Sequence, residues 1–198
     1  MALSQDVPFV SPEEYLAVER LAELKHEYID GVVVAMGGGS RNHSRIKVNL
    51  TALVHAQTAA RGCEAFDSDL RVRVDSSRYT YPDLVVVCGE SRFADPESDT
   101  LLNPTGIFEV LSPATEAYDR GEKWARYRQM PSLQQYVLVS QDQPLVEVFT
   151  RAGEVWLFGD ARGLDAVLEL EAIGVRLALG DVYSRVGFGE GEGDAVGR

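Results

Sequence analysis

Two acidic residues stand at positions where the sequence otherwise predicts strands with buried side chains. Glu109 lies in the apolar run 107–111, and Asp83 directly precedes the apolar run 84–88. A buried carboxylate is costly unless it is paired or binds a metal ion. If the two strands are neighbours, both carboxylates meet at one edge of the sheet and suit a hard cation such as Mg²⁺ or Mn²⁺. The alternative is that Asp83 caps a turn and Glu109 pairs with an arginine.

A lysine follows on the next predicted helix. Asp119, Lys123 and Tyr127 are spaced by four residues, which places their side chains on one face of that helix. One interpretation directs Lys123 at the two carboxylates. The other is an exposed pair of Asp119 and Lys123, which stabilises a helix by only a few tenths of a kcal/mol, about 0.2–0.5.

Composition limits the class of protein. The chain has 198 residues, 45% of them hydrophobic, with 31 acidic and 19 basic residues and a net charge of −12. A chain of this length buries about 70% of its unfolded surface in a single domain, and its hydrophobic content excludes disorder over most of the sequence. The net charge excludes a uniformly basic nucleic-acid binder, because duplex binding relies on many Lys and Arg side chains that face phosphates.

The negative charge is distributed unevenly along the chain. Residues 31–63 hold four Lys and Arg residues and no acidic one, and the stretches 70–80 and 117–130 also carry an excess of basic residues. These stretches include the two central helices and one core strand. Two interpretations remain open: solvent-exposed helix faces, or an anion-binding cleft inside acidic outer walls.

Cysteine content and apolar runs bear on localisation. Cys63 and Cys88 form no CxxC pair, so the sequence predicts neither a disulfide scaffold nor a zinc site. The first residues lack the basic and apolar regions of a signal peptide, and apolar runs such as 84–88 are too short to span a membrane. We therefore expect a cytoplasmic protein with no membrane partner.

Local patterns predict a mixed α/β order of elements. Ser11 and Glu14 form a capping box at the start of a first helix, and Asp30-Gly31 is a turn between two strands of a hairpin. The following elements are, in chain order, a helix over 40–60, strands within 64–74, at 84–88 and at 107–111, a helix over 115–129, and strands at 135–140, 145–150 and 154–158. We expect one domain over residues 1–186 and a disordered Gly-rich tail at 187–198.

Motifs surround the acidic pair and the lysine. They comprise residues 81–87, 109–123, 127–128 and 131–136, preceded by 27–31 and His43. Together they closely resemble the Uma-type family, bacterial proteins classed as candidate restriction endonucleases within the PD-(D/E)XK nuclease superfamily. The resemblance covers roughly residues 9–186, and the long block is its specific part, since a Pro-Asp dipeptide alone is weak evidence. It implies a restriction-endonuclease-like core, with a central mixed sheet flanked by helices, an N-terminal helix and hairpin, and C-terminal strands.

The resemblance also implies the site residues. Asp83 matches the Asp of the PD motif and Glu109 the acidic residue of (D/E)XK, but Leu111 stands where that motif has its lysine. The Uma-type pattern supplies the lysine from the following helix, and Lys123 matches that position. In this interpretation Asp83, Glu109 and the Val110 carbonyl hold Mg²⁺ or Mn²⁺, while Lys123 orients water or stabilises charge in the transition state.

Three further residues are secondary candidates. Glu27 either joins the metal site or is a surface acid at a strand edge. His43 lies in the first turns of a helix, where free N–H groups favour anions, and either contacts phosphate or is a surface histidine. Tyr127 shares the helix face of Lys123.

The predicted function is Mg²⁺-dependent endonuclease activity, the hydrolysis of phosphodiester bonds in DNA. Two alternatives stay open. One is a catalytically inactive nuclease fold kept for binding or assembly, which Leu111 and the acidic composition favour. The other is a metal-dependent phosphohydrolase that acts on small nucleotides. A homodimer is a further hypothesis, because two clefts could then address two DNA strands.

Overall fold

The chain folds into short helices and strands in mixed order. The computed structural model describes residues 9–97 and 99–188. Its helices are α1 (Pro12–Glu19), α2 (Arg41–Thr58), α3 (Glu116–Tyr118), α4 (Trp124–Tyr127) and α5 (Leu179–Val182), with a 3₁₀ turn at Ala59–Arg61 and a π-helical turn at Asp119–Lys123. Its strands are β1 (His26–Ile29), β2 (Val32–Ala35), β3 (Cys63–Asp67), β4 (Arg71–Asp75), β5 (Arg78–Thr80), β6 (Leu84–Cys88), β7 (Thr100–Leu101), β8 (Gly106–Val110), β9 (Gln135–Val139), β10 (Leu145–Ala152), β11 (Val155–Arg162), β12 (Val167–Leu170) and β13 (Val175–Ala178). The predicted mixed α/β class is confirmed.

A six-stranded sheet of order β11-β10-β9-β8-β6-β3 forms the centre of the described molecule. Strands β8 and β9 pair in parallel, and the other pairs of this sheet are antiparallel. The apolar run 84–87 is fully buried because alternate residues enter two different cores. Leu84 and Val86 face α2 and the β12–β13 hairpin, whereas Val85 and Val87 face the side of β4 and α4.

Helix α2 covers one face of the central sheet. Its buried residues Ile46, Leu50 and Val54 recur every fourth position, as an amphipathic helix requires. The Ser40 hydroxyl accepts the His43 backbone N–H at 3.0 Å and caps the first turn. The helix therefore begins at a fixed point beside the edge of the sheet.

A five-stranded sheet of order β2-β1-β5-β4-β7 carries the predicted hairpin. Asp30 and Gly31 both have positive φ angles, 48° and 93°, which is the backbone of a type I′ turn. Helix α1 packs on this sheet through Tyr15, which stacks on Tyr28 with ring centroids 5.1 Å apart. The capping box at Ser11 is present as predicted.

The helix predicted over 115–129 is present over Glu116–Tyr127, but it is not a regular α-helix. The segment forms α3, the π-helical turn and α4, and Thr115 makes no side-chain cap hydrogen bond. Two contacts with β9 hold the widened turn, since the Tyr136 hydroxyl donates to the Asp119 carbonyl at 3.1 Å and the Trp124 ring stacks on Tyr136. As a result, Asp119 and Lys123 are both buried.

Cys63 and Cys88 are partners in the β3–β6 register and are joined by a disulfide bond. Two cysteines do not make a disulfide scaffold, but their spacing in the sequence did not predict this bond. They lie 25 residues apart, and only the register of the two strands brings them together. Cysteine usage therefore no longer supports a reducing compartment.

No helix in residues 9–97 and 99–188 is long and apolar enough to cross a membrane. The disorder predicted for 187–198 concerns a segment of which residues 189–198 lie outside the described ranges.

Replacing Gly31 with alanine is expected to lower the free energy of unfolding by about 1–2 kcal/mol, because φ at this position is left-handed. The new Cβ would also clash with the ring of Phe9, which must move. Gly38→Ala is the matched control, since its Cβ meets nothing within 4 Å. Urea unfolding of both variants measures the difference, and equal losses would contradict the proposed role of the turn.

Candidate active site

Asp83 and Glu109 meet at one edge of the central sheet. Leu84 is the register partner of Phe108, so Asp83 and Glu109 are the next residues on neighbouring strands. The Val110 backbone N–H donates to Asp83 Oδ2 at 2.8 Å. The sequence predicts that the two carboxylates meet if their strands are neighbours, and β6 and β8 are such neighbours.

Lys123 lies among three carboxylates. Its Nζ atom is 2.8 Å from Glu109 Oε1, 3.3 Å from Glu27 Oε1 and 3.4 Å from Asp119 Oδ1. The Lys123 side chain is only 6% exposed, so these contacts are shielded from solvent. Glu27 comes from β1 and Glu109 from β8, and the ammonium group thus joins the two large sheets.

Tyr127 also binds Glu109. Its hydroxyl donates to Glu109 Oε1 at 3.1 Å and lies 2.9 Å from Thr80 Oγ1. Since the phenol has one proton, Thr80 must be the donor in the second contact. Burial raises the pKa of Tyr127 well above its usual value, although Lys123 opposes the shift. The phenol therefore remains a hydrogen-bond donor.

Helix α2 brings two basic side chains to Asp83. His43 Nε2 is 3.3 Å from Asp83 Oδ2, and Lys47 Nζ is 3.8 Å from Asp83 Oδ1. Lys47 was not predicted as a site residue. Its spacing of four residues from His43 on the same helix was the available signal.

The two central carboxylates differ in acidity. Burial raises the pKa of the Glu109 carboxyl to about 8; Lys123 opposes this shift, while Asp119 and Asp83 add to it. Burial also disfavours ionisation of Asp83, but the imidazole of His43 and the N–H of Val110 hold its pKa below the usual value. Asp83 is therefore ionised at neutral pH, while Glu109 exchanges its proton near neutrality.

The surroundings of Leu111 explain why this position does not carry the lysine of the (D/E)XK motif. Its side chain is 3% exposed and belongs to the core formed with Tyr127 and Leu133. A lysine at this position would place its ammonium group among apolar side chains. Lys123 instead reaches Glu109 from the π-helical turn.

The basic stretches predicted from the sequence do not form one broad cleft. Arg71 and Arg78 are buried and paired with Asp99 and with Asp30, respectively. These arginines stabilise the five-stranded sheet, and they are unsuited to contact a large anion. The basic side chains next to Asp83 are His43 and Lys47 of α2.

The donor atoms fit a hard divalent cation. Glu109 Oε1 is occupied by Lys123 and Tyr127, whereas Glu109 Oε2 and Asp83 Oδ1 accept no hydrogen bond from the described residues. No cluster of three or more His, Cys, Asp or Glu side chains suited to a metal ion occurs within residues 9–97 and 99–188. Mg²⁺ does not need one, because it commonly binds one or two protein carboxylates and completes its shell with water and substrate phosphates.

Comparison with known proteins assigns the family. The model of the Uma2 family, described as "Putative restriction endonuclease", matches residues 12–180. The chain belongs to the Uma2 family.

Relatives of this Uma2 protein occur in Synechocystis sp. (strain ATCC 27184 / PCC 6803 / Kazusa). "Uncharacterized protein slr1290" is 40% identical over 95% of this chain and all of the relative. "Uncharacterized protein sll1609" is 36% identical over 79% of this chain and 89% of the relative.

A solved structure shares the fold of this Uma2 protein. The crystal structure of "a putative nuclease belonging to DUF820 from Anabaena variabilis ATCC 29413" has a TM-score of 0.71. It is 20% identical, and the match covers 88% of this chain and 98% of that one. The predicted nuclease-like fold is confirmed, as is the resemblance to the Uma-type family.

Lys123→Met is expected to lower the free energy of unfolding by about 3–5 kcal/mol, because it leaves three buried carboxylates without their shared cation. Lys47→Met is the matched control. Its side chain is 31% exposed, and we expect a change of about 1 kcal/mol or less. Equal effects of the two variants in urea unfolding would refute the central position of Lys123.

The stability of the metal-free protein should also depend on Glu109. The unfolded carboxyl loses its proton near 4.5, while the folded one keeps it to about 8. The folded state binds more protons in this window, so Glu109 makes the free energy of unfolding fall as pH rises. Glu109→Gln should flatten this decrease in unfolding measured between those pH values, and identical slopes for variant and wild type would contradict the raised pKa.

Proposed function

We propose that this Uma2 protein is a metal-dependent endonuclease that hydrolyses phosphodiester bonds in DNA. The main support is the meeting of Asp83 and Glu109 at one sheet edge, with the Lys123 ammonium group 2.8 Å from Glu109. Two carboxylates and an ammonium group in one site are the groups that metal-assisted hydrolysis of a phosphate ester uses. Membership of a family described as "Putative restriction endonuclease" supports the same reaction class.

Asp83, Glu109 and the Val110 carbonyl are the proposed ligands of Mg²⁺ or Mn²⁺. The oxygens available for this role are Glu109 Oε2 and Asp83 Oδ1, because the other carboxylate oxygens accept hydrogen bonds. A bound ion of this type polarises a phosphate and lowers the pKa of a coordinated water. The Val110 N–H fixes the orientation of Asp83. Val110, a residue of β8, thus orients the carboxylate that directly precedes β6.

Lys123 acts through its charge in this proposal. Burial alone would lower the pKa of its ammonium group, but Glu109 and the other surrounding anions raise it well above the usual value. A lysine that stays protonated cannot be a general base. It can orient water or stabilise negative charge that develops on the phosphate, and it holds Glu109 with the help of Tyr127.

His43 and Lys47 are proposed to contact the substrate backbone. Both side chains lie beside Asp83 on the first turns of α2, where free backbone N–H groups also favour anions. The rest of the chain is acidic, with a net charge of −12. This combination favours local binding of a phosphate group over tight, nonspecific binding along a duplex.

Glu27 has a supporting role here. Its carboxylate is 3.3 Å from Lys123 Nζ, and the side chain is 12% exposed. We assign it to positioning the lysine rather than to binding metal, because its observed contact is with the ammonium group.

The decisive experiment is cleavage of plasmid and single-stranded DNA with Mg²⁺ or Mn²⁺. Asp83→Asn should reduce cleavage by about a hundredfold or more, since it removes one ligand charge and keeps the shape of the side chain. Asp165→Asn is the control, because this aspartate is exposed and forms no ion pair within the described ranges. Unchanged cleavage by Asp83→Asn would refute the assignment of the site.

The inactive binding module is the second candidate, and one observation favours it. Lys123 is already engaged by three carboxylates, as a purely structural cation would be. Calorimetric titration with Mn²⁺ separates the two candidates. The endonuclease requires binding that Asp83→Asn weakens, whereas no binding at millimolar concentration favours the module. Cleavage of a dinucleotide but not of plasmid would instead indicate a phosphohydrolase of small nucleotides.

A further inference from the structure

Strand β11 is an exposed edge of the central sheet. It pairs with β10 along eight residues, and no strand of the described chain lies on its other side. Its side chains Val155, Leu157 and Phe158 are 58%, 58% and 56% exposed. An edge of this length with apolar residues on both faces is a template for another strand.

The hydrogen bonds with β10 show which backbone groups are free. Gly163 N–H donates to the Pro144 carbonyl at 2.8 Å, one step beyond the pair of Leu145 and Arg162. Hydrogen bonding alternates along an antiparallel ladder. The odd-numbered residues of β11 therefore bond to β10, and the even-numbered residues from Trp156 to Arg162 direct their N–H and C=O groups outward.

We propose that β11 pairs antiparallel with β11 of a second copy of this chain, which joins two central sheets into one. A two-fold axis through such a pair lets each copy use the same surface. Only even-numbered residues can bond to each other, so the axis must lie at a residue of β11 and not between two residues. This interface is independent of the proposed endonuclease activity.

Charge selects one register. Glu154 is the turn residue that directly precedes β11, and Arg162 pairs with Asp160 of its own strand. With the axis at Phe158, Glu154 of each copy lies opposite Arg162 of the second copy, which adds an opposite-charge contact at both ends of the pair. With the axis at Leu157, Glu154 would face Asp160 of the second copy, a pair of like charges. With the axis at Gly159, Glu154 would lie beyond the strand, opposite Leu164 of the second copy.

Packing agrees with the same register. Leu157 lies opposite Gly159 of the second copy, and glycine leaves room for the larger side chain. Val155 lies opposite Ala161 of the second copy, and the two Phe158 rings lie next to each other across the axis. Strand β2 is a second edge with exposed apolar side chains, but its four residues carry no charge that could fix a register.

The test is a charge-reversal series measured by sedimentation or light scattering of the full chain at increasing concentration. The wild type should form a dimer. Glu154→Arg and Arg162→Glu should each weaken it by about tenfold, because both symmetric pairs become repulsive. The double variant should recover most of the loss, since it restores both pairs with reversed polarity.

Val33→Lys on β2 is the matched control, because it places a charge on the other exposed edge. It should leave the dimer unchanged. A monomeric wild type would overturn the proposal, as would a dimer that ignores the β11 charge reversals or dissociates only on Val33→Lys. Far-UV circular dichroism of each variant checks that loss of the dimer does not reflect unfolding.

Discussion

The ammonium group of Lys123 determines the structure around the site. Three carboxylates from three different elements lie within 3.4 Å of it, and they could not be buried together without a cation between them. Glu27 belongs to the hairpin of the five-stranded sheet, Glu109 to β8 of the six-stranded sheet and Asp119 to the π-helical turn. A buried ion pair of this kind contributes little net stability compared with apolar packing, but its partners depend strongly on one another.

Hydrogen bonds around the site fix the orientation of the Glu109 and Asp83 carboxylates. Tyr127 and Lys123 both bind Oε1 of Glu109, so the carboxylate cannot rotate freely and its second oxygen points to one place. The backbone N–H of Val110, the residue after Glu109, restricts the carboxylate of Asp83 in the same way. Each of the two carboxylates is therefore held by groups that would not belong to the coordination shell. Such support is what distinguishes an organised site from acidic residues that happen to be close.

Much of the fold follows from local patterns in the sequence. The buried run 84–87, the turn at Asp30-Gly31 and the capping box at Ser11 are each specified by a few adjacent residues. The convergence of Asp83 and Glu109 required only that their strands be neighbours. The widened turn at Asp119–Lys123 could not be predicted, because contacts with Tyr136, a residue of another strand, hold it open.

Other features depend on contacts distant in sequence in the same way. The burial of Arg78 depends on Asp30, which lies 48 residues earlier, and the disulfide depends on the register of β3 and β6. A count of basic residues could not distinguish such structural arginines from the basic side chains beside the site, His43 and Lys47. Lys47 was within reach of sequence reasoning, since it lies one helical turn after His43.

The position of the lysine on a π-helical turn has a consequence for how the site comes apart on heating. Asp83 and Glu109 are carried by central strands, whereas Lys123 and Tyr127 belong to one helical segment whose regular hydrogen bonding the π-helical turn interrupts. We expect this segment to open locally at a lower free energy than the central strands. Such an opening would withdraw the ammonium and phenol groups together and leave the two carboxylates in place. The site would then come apart before global unfolding, and the protein would pass through a state that still has its central sheet but lacks a complete site.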